Sequence, residues 1–116
     1  MQKKYSNSVR VFYPRFSKEE VIQKIRNKLE SLNKELPITL LALFGSYAKG
    51  TQTVASDIDV LIVYKGKERK DAYKIAKKVL GIPGLELHIY SEEEYKKMVC
   101  TIKRMLRDSI ILWQDF

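Results

Sequence analysis

The chain has little of what extracellular and membrane-spanning proteins are built from. Of its 116 residues one is cysteine, Cys100, so no internal disulfide can form and a reducing, cytoplasmic setting is expected. Cys100 falls in an apolar helical pattern and is expected to be a small core residue. The opening residues lack the apolar stretch of a signal peptide. The apolar run around Ile38–Phe44 is far too short to span a bilayer. Prolines number three and glycines five, and there is no repeat, low-complexity tract or linker, so residues 1–116 are expected to form one domain. Acidic residues are the minority, 14 against 22 Lys and Arg, for a net charge of +8. That balance permits binding of nucleic acid or nucleotide. It equally suits a solvated surface rich in Lys and Glu.

What is present is a well-punctuated alternation of helical and extended patterns. Val9, Val11 and Tyr13 alternate with Arg10 and Phe12, predicting a short strand that stops at Pro14. Ser17-Lys18-Glu19-Glu20 is a capping box, with Phe16 and Val21 as its hydrophobic staple. The helix it opens carries Ile22, Ile25, Leu29, Leu32 and Leu36 at spacings of three and four and ends at Pro37. Ile38–Phe44 and Asp57–Tyr64 read as buried strands. Ala72, Ile75, Ala76, Val79 and Leu80 form the apolar face of a further helix closed by Gly81. After the Pro83-Gly84 turn, Leu85–Tyr90 reads as a strand. Ser91 and Glu94 form a second capping box, with Tyr90 and Tyr95 as its staple. The helix behind it turns Met98, Val99, Ile102, Met105 and Leu106 inward, and Ile110–Trp113 closes the chain as a short strand. This order is not a simple βαβ alternation. An α/β (α+β) domain with a mixed sheet and helices packed against it is expected.

The chemistry concentrates in Leu43-Phe44-Gly45-Ser46-Tyr47-Ala48-Lys49-Gly50 and Ser56-Asp57-Ile58-Asp59. Glycine at 45 lets a backbone approach a ligand closely, and Ser46 adds a hydroxyl and an N–H. A helix opening there would favour an anion such as phosphate. Asp57 and Asp59, two apart on an extended run, are expected to share a face. Two adjacent carboxylates repel, and a hard divalent cation relieves that cost. Glu86, flanked by Leu85 and Leu87 that should point the other way, is the candidate third carboxylate. His88 shares its parity and could line the same cleft, although a lone histidine is more often structural. Lys49 could meet a phosphate or stay solvated. Lys70, Lys74, Lys77 and Lys78 form a basic stripe that reads best as the solvated face of a helix. Tyr5, Phe12 and Tyr13 are aromatic candidates for base stacking, with packing the commoner use.

Together, the Gly-Ser turn, the basic residue and glycine after it, and Ser-Asp-x-Asp entering an apolar strand resemble the nucleotidyltransferase superfamily of DNA polymerase beta, and within it the minimal nucleotidyltransferases. The resemblance covers Ile38–Tyr90. It departs at Glu86, where the family usually has Asp. It implies a nucleotidyltransferase fold, with Asp57, Asp59 and Glu86 as metal-binding and catalytic residues. Gly45, Ser46, Lys49 and Gly50 would hold the nucleotide. It further implies Mg²⁺ as cofactor, ATP as substrate and transfer of a nucleoside monophosphate to a hydroxyl. Family members are often encoded beside a helical HEPN-type partner, and some act as antitoxins that transfer AMP to a tyrosine of it; 116 residues leave no room for an acceptor domain, so a second chain is expected, with a homodimer as an added expectation. Two other readings stay open: a metal-nucleotide binding module without turnover, and a basic nucleic-acid-binding domain.

Overall fold

A computed structural model describes residues 16–53 and 55–115. The strand expected around Val9–Tyr13, and the aromatic residues Tyr5, Phe12 and Tyr13, lie outside the described residues. The elements are α1 (Lys18–Arg26), α2 (Leu29–Glu35), β1 (Ile38–Phe44), α3 (Gly45–Lys49), β2 (Ile58–Tyr64), α4 (Ala72–Leu80), β3 (Leu85–Ser91), α5 (Glu92–Lys97), α6 (Val99–Leu106) and β4 (Ile110–Gln114).

The four strands form one sheet in the order β3-β2-β1-β4. β1 runs antiparallel to both β2 and β4, whereas β2 and β3 are parallel, joined by a crossover through α4. The sheet is therefore mixed, as expected. β2 is apolar on both faces because both are covered. Ile58, Val60, Ile62 and Tyr64 join the main core with Val21 and Ile25 of α1, Leu29 and Leu32 of α2, and Ala72, Ala76 and Leu80 of α4. Leu61 and Val63 join a smaller core with Leu40 and Ile102, against which Met98, Met105 and Leu106 pack. Helices thus pack on both faces of the sheet, and on the face of the smaller core the Asp59 side chain stays 25% exposed.

Both capping boxes form. Ser17 Oγ accepts from Glu20 N at 3.1 Å while Glu20 Oε1 accepts from Ser17 N at 2.9 Å. Ser91 and Glu94 repeat the same pair of bonds at 3.1 and 2.9 Å. Two expected helices are each broken in two. The first breaks at Asn27–Lys28, where Lys28 N reaches Ile25 O at 3.0 Å and so tightens the turn. Asn is a weak helix former, and its Oδ1 is engaged by Gln23 Nε2 at 2.9 Å. The second breaks at Met98, whose N–H is shared between Glu94 O and Tyr95 O. There a residue with good helix propensity yields to packing, since Met98 lies against the smaller core.

Cys100 corrects the expectation of a core position: it is exposed. It stands two residues before the fully buried Ile102, about 200° around the helix from it. Lys70, Lys74, Lys77 and Lys78 are all exposed, as a solvated stripe requires. Among the described residues, no helix is long and apolar enough to cross a membrane.

Candidate functional site

β2 begins at Ile58, one residue later than the expected strand, and this places the two aspartates differently. Asp59 lies inside the strand with the parity of Leu61 and Val63, so it lies on the face of the smaller core. Asp57 precedes the strand, is exposed, and lines a cleft of about 230 Å³ with Tyr47, Ser56, Pro83 and Gly84. Ser56 is occupied in the loop before the strand, its Oγ accepting from Thr53 N at 2.9 Å.

The parallel register sets Asp59 beside Glu86 and Leu61 beside His88. Ile58 N donates to Gly84 O at 2.8 Å, pinning the start of β2 to the turn that launches β3. Leu87 belongs to the main core, so Glu86 and His88 on either side of it face the same way as Asp59. The expected partnership of Glu86 with Asp59 is thus present as a register pair.

His88, weighed as a structural histidine from its sequence, stands at the centre of this group. Its Nε2 lies 3.4 Å from Glu86 Oε1 and 3.6 Å from Asp59 Oδ1. Those separations are too long for good hydrogen bonds, and Nε2 is buried without a hydrogen-bond partner. One donor atom from each of Asp59, Glu86 and His88 falls within 4.8 Å of the others, and Asp57 is not in this group. Phe44, marked in the sequence only as part of the run before Gly45, makes a T-shaped contact with the imidazole, with ring centroids 5.0 Å apart. Its place follows from register, since Phe44 pairs with Asp59 across β1 and β2.

Burial raises the Asp59 pKa above its ordinary value, the nearby His88 lowers it in part, and the neighbouring charge of Asp57 adds to the rise. An ionised Asp59 is therefore costly until a cation meets it. Two carboxylates and a buried, unsatisfied imidazole nitrogen fit the donor set of a divalent metal.

Gly45 opens α3 at φ +74°, directly after β1. A Cβ there would collide with Asp59 Oδ2 and stand 3.1 Å from Asp59 Cγ. The close approach expected of this glycine is thus made, within the chain, by the Asp59 carboxylate. Ser46 is half-buried in α3, and Lys49 is exposed in its last turn. Gly50 ends the helix in the left-handed conformation at φ +77°, its N–H bonded back to Ser46 O and Tyr47 O.

Solved structures share this architecture. A nucleotidyltransferase structure from Sulfolobus solfataricus superposes with a TM-score of 0.57 at 20% identity, covering 84% of this chain and 83% of that one. A chain from the Shewanella oneidensis complex of a tri-AMPylated HEPN toxin with an MNT antitoxin superposes with a TM-score of 0.51 at 21% identity, over 80% of this chain and 72% of that one. These likenesses establish the nucleotidyltransferase fold. In sequence, a Methanocaldococcus jannaschii protein assigned as a protein adenylyltransferase is 40% identical over 45 residues, which are 39% of this chain and 46% of that protein. The chain spans about half the length of the curated relatives it matches. The model of the nucleotidyltransferase domain matches residues 22–112. That span runs from the first described helix to the last strand and includes every residue of the site, and the chain belongs to the nucleotidyltransferase domain family.

Proposed function

We propose that the protein is a minimal nucleotidyltransferase that binds Mg²⁺ and ATP and transfers AMP to a hydroxyl group of a partner protein. The observation that carries this reading is the register pair Asp59–Glu86 on one open sheet face, beside the Gly45-Ser46 turn. Asp57, Asp59 and Glu86 would hold the metal; Gly45, Ser46, Lys49 and Gly50 would hold the phosphates. A bound divalent ion supplies Lewis-acid stabilisation of phosphate oxygens and acidifies a coordinated hydroxyl.

In the transfer, a bond forms between the acceptor oxygen and the α-phosphorus. The bond from that phosphorus to the α,β-bridging oxygen breaks, and pyrophosphate leaves. The acceptor proton needs a base. Glu86, with a side chain 53% exposed, is accessible to an incoming hydroxyl. Asp59, with a side chain 25% exposed and flanked by Phe44 and Glu86 on the neighbouring strands, is held more rigidly and suits anchoring.

The Shewanella complex pairs an MNT antitoxin with an AMPylated HEPN toxin. Carried to this chain, that pairing makes the acceptor a side-chain hydroxyl on a HEPN-type helical partner, and the protein its antitoxin in the cytoplasm. Incubation with ATP, Mg²⁺ and such a partner, followed by intact-mass measurement, tests the reading. An AMP increment on the partner, lost with Asp59→Asn, is the expected result. A partner that binds tightly but stays unmodified would overturn transfer in favour of a binding module, a reading that the position of Asp57 outside the donor group supports.

A further inference from the structure

We infer that Asp59, Glu86 and His88 form a mixed oxygen–nitrogen site that takes a borderline first-row divalent ion of the zinc class in preference to Mg²⁺, with His88 Nε2 as a direct ligand. The inference rests on the reading of this cleft as a metal site. It differs from that reading in the ligand set and in the ion.

Four observations converge. First, strand parity and the parallel register bring the three side chains to one face, from two adjacent strands. Second, His88 Nε2 is buried yet has no hydrogen-bond partner, a costly condition for a polar atom. Third, its distances to the two carboxylates are 3.4 and 3.6 Å. Donors sharing one tetrahedral ion at bond lengths of about 2.0–2.1 Å stand about 3.3 Å apart. Both separations from His88 are therefore close to those of a coordination shell, and the three donor atoms all fall within 4.8 Å of one another. Fourth, Phe44 packs against the imidazole in a T-shaped contact with ring centroids 5.0 Å apart, an apolar neighbour that offers the ring nitrogens no hydrogen bond.

The chemistry of the donor set decides the ion. Mg²⁺ prefers oxygen donors and keeps several waters in near-octahedral geometry. An imidazole nitrogen gains little from it. Zinc-class ions bind imidazole and carboxylate together and lie above manganese in affinity for such sites. Two carboxylates alone would favour them far less than a site with an imidazole. His88 supplies the imidazole.

The test uses a fact of composition: His88 is the only histidine in the chain. The imidazole resonances of tag-free protein therefore report on this site without assignment. Cys100 is exposed and can bind zinc adventitiously, so the Cys100→Ser form is the reference. One equivalent of Zn²⁺ should shift the Nε2 resonance to its metal-bound position, and calorimetry should show one site. His88→Gln should weaken Zn²⁺ at least about tenfold and change Mg²⁺ affinity less than about twofold. An imidazole spectrum unmoved by stoichiometric Zn²⁺ would overturn the proposal. So would a shift that persists in the Asp59→Asn, Glu86→Gln double variant, because the ion would then lie outside the three-residue group. The wild-type spectrum stands even if a variant fails to fold. Zinc capture at His88 without ATP binding would defeat the transferase reading alone. AMP transfer with Mg²⁺ and a silent imidazole would defeat this inference alone.

Discussion

The carboxylate of Asp59 occupies the space that a side chain at Gly45 would need. The first residue of the Gly-Ser turn and the half-buried aspartate of the next strand are thus two halves of one fit. Gly45→Ala should cost more than the left-handed backbone alone explains. Gly50 provides the control: its φ of +77° nearly equals the +74° of Gly45, but nothing lies within 4 Å of its missing Cβ. Gly50→Ala should destabilise by about 1 kcal/mol, and Gly45→Ala by about 2–4 kcal/mol once overpacking is added. Urea unfolding of both, with Gly45→Ala repeated in an Asp59→Ala background, measures the difference. Equal losses at the two glycines would separate Gly45 from Asp59.

Stability without divalent ions should depend on pH through Asp59. Its folded pKa is raised, mainly by burial. The folded state therefore holds the proton more tightly than the unfolded chain, whose carboxyl titrates near 3.8. Its stabilising contribution is complete below that value and is lost as pH rises through the folded pKa. Asp59→Asn should accordingly be more stable than wild type at pH 7, with the gap closing as pH falls toward 3.8. Thermal melts across pH in chelator check this. A gap that widens on acidification would reverse the sign.

Glu86→Gln should lower AMP transfer at least about tenfold, since even an outer partner of a metal commonly costs that much. The side chain is half exposed, so the fold should not suffer. Nucleotide titration alongside the activity assay separates a lost ligand or base from a lost binding site. Full activity would move the role to another residue, with His88 the next to substitute.

The two capping boxes should differ in worth. Ser91 is fully buried and both bonds of its box are partly shielded, whereas both bonds of the Ser17 box are exposed. Ser91→Ala should cost about 1–2 kcal/mol and Ser17→Ala about 0.5–1 kcal/mol. Equilibrium denaturation of the two single variants ranks them.

Cys100 should react with a thiol reagent in native buffer at one equivalent per chain, because α6 turns it outward. Reaction only after denaturant is added would return it to the core.

Among the described residues the sequence by itself determined the element types, both capping boxes, the Gly-Ser turn and the face on which Glu86 lies. Each of these is written in local spacing: a period of two or of 3.6, a serine three residues before a glutamate, a glycine behind an apolar run. Glu86 was legible because strand parity beside two leucines needs no knowledge of neighbours. Only the tertiary structure decided what depends on register between distant strands. The parallel pairing of β2 with β3 placed His88 between two carboxylates, and the pairing of β1 with β2 brought Phe44 to its ring. The late start of β2 left Asp57 outside that group. Beyond the helix breaks at Asn27–Lys28 and Met98, α2 packs into the main core and α6 into the smaller one. Register and packing set these outcomes because a side chain's neighbours across a sheet come from residues far away in the chain, and no local period encodes which residue will stand opposite which.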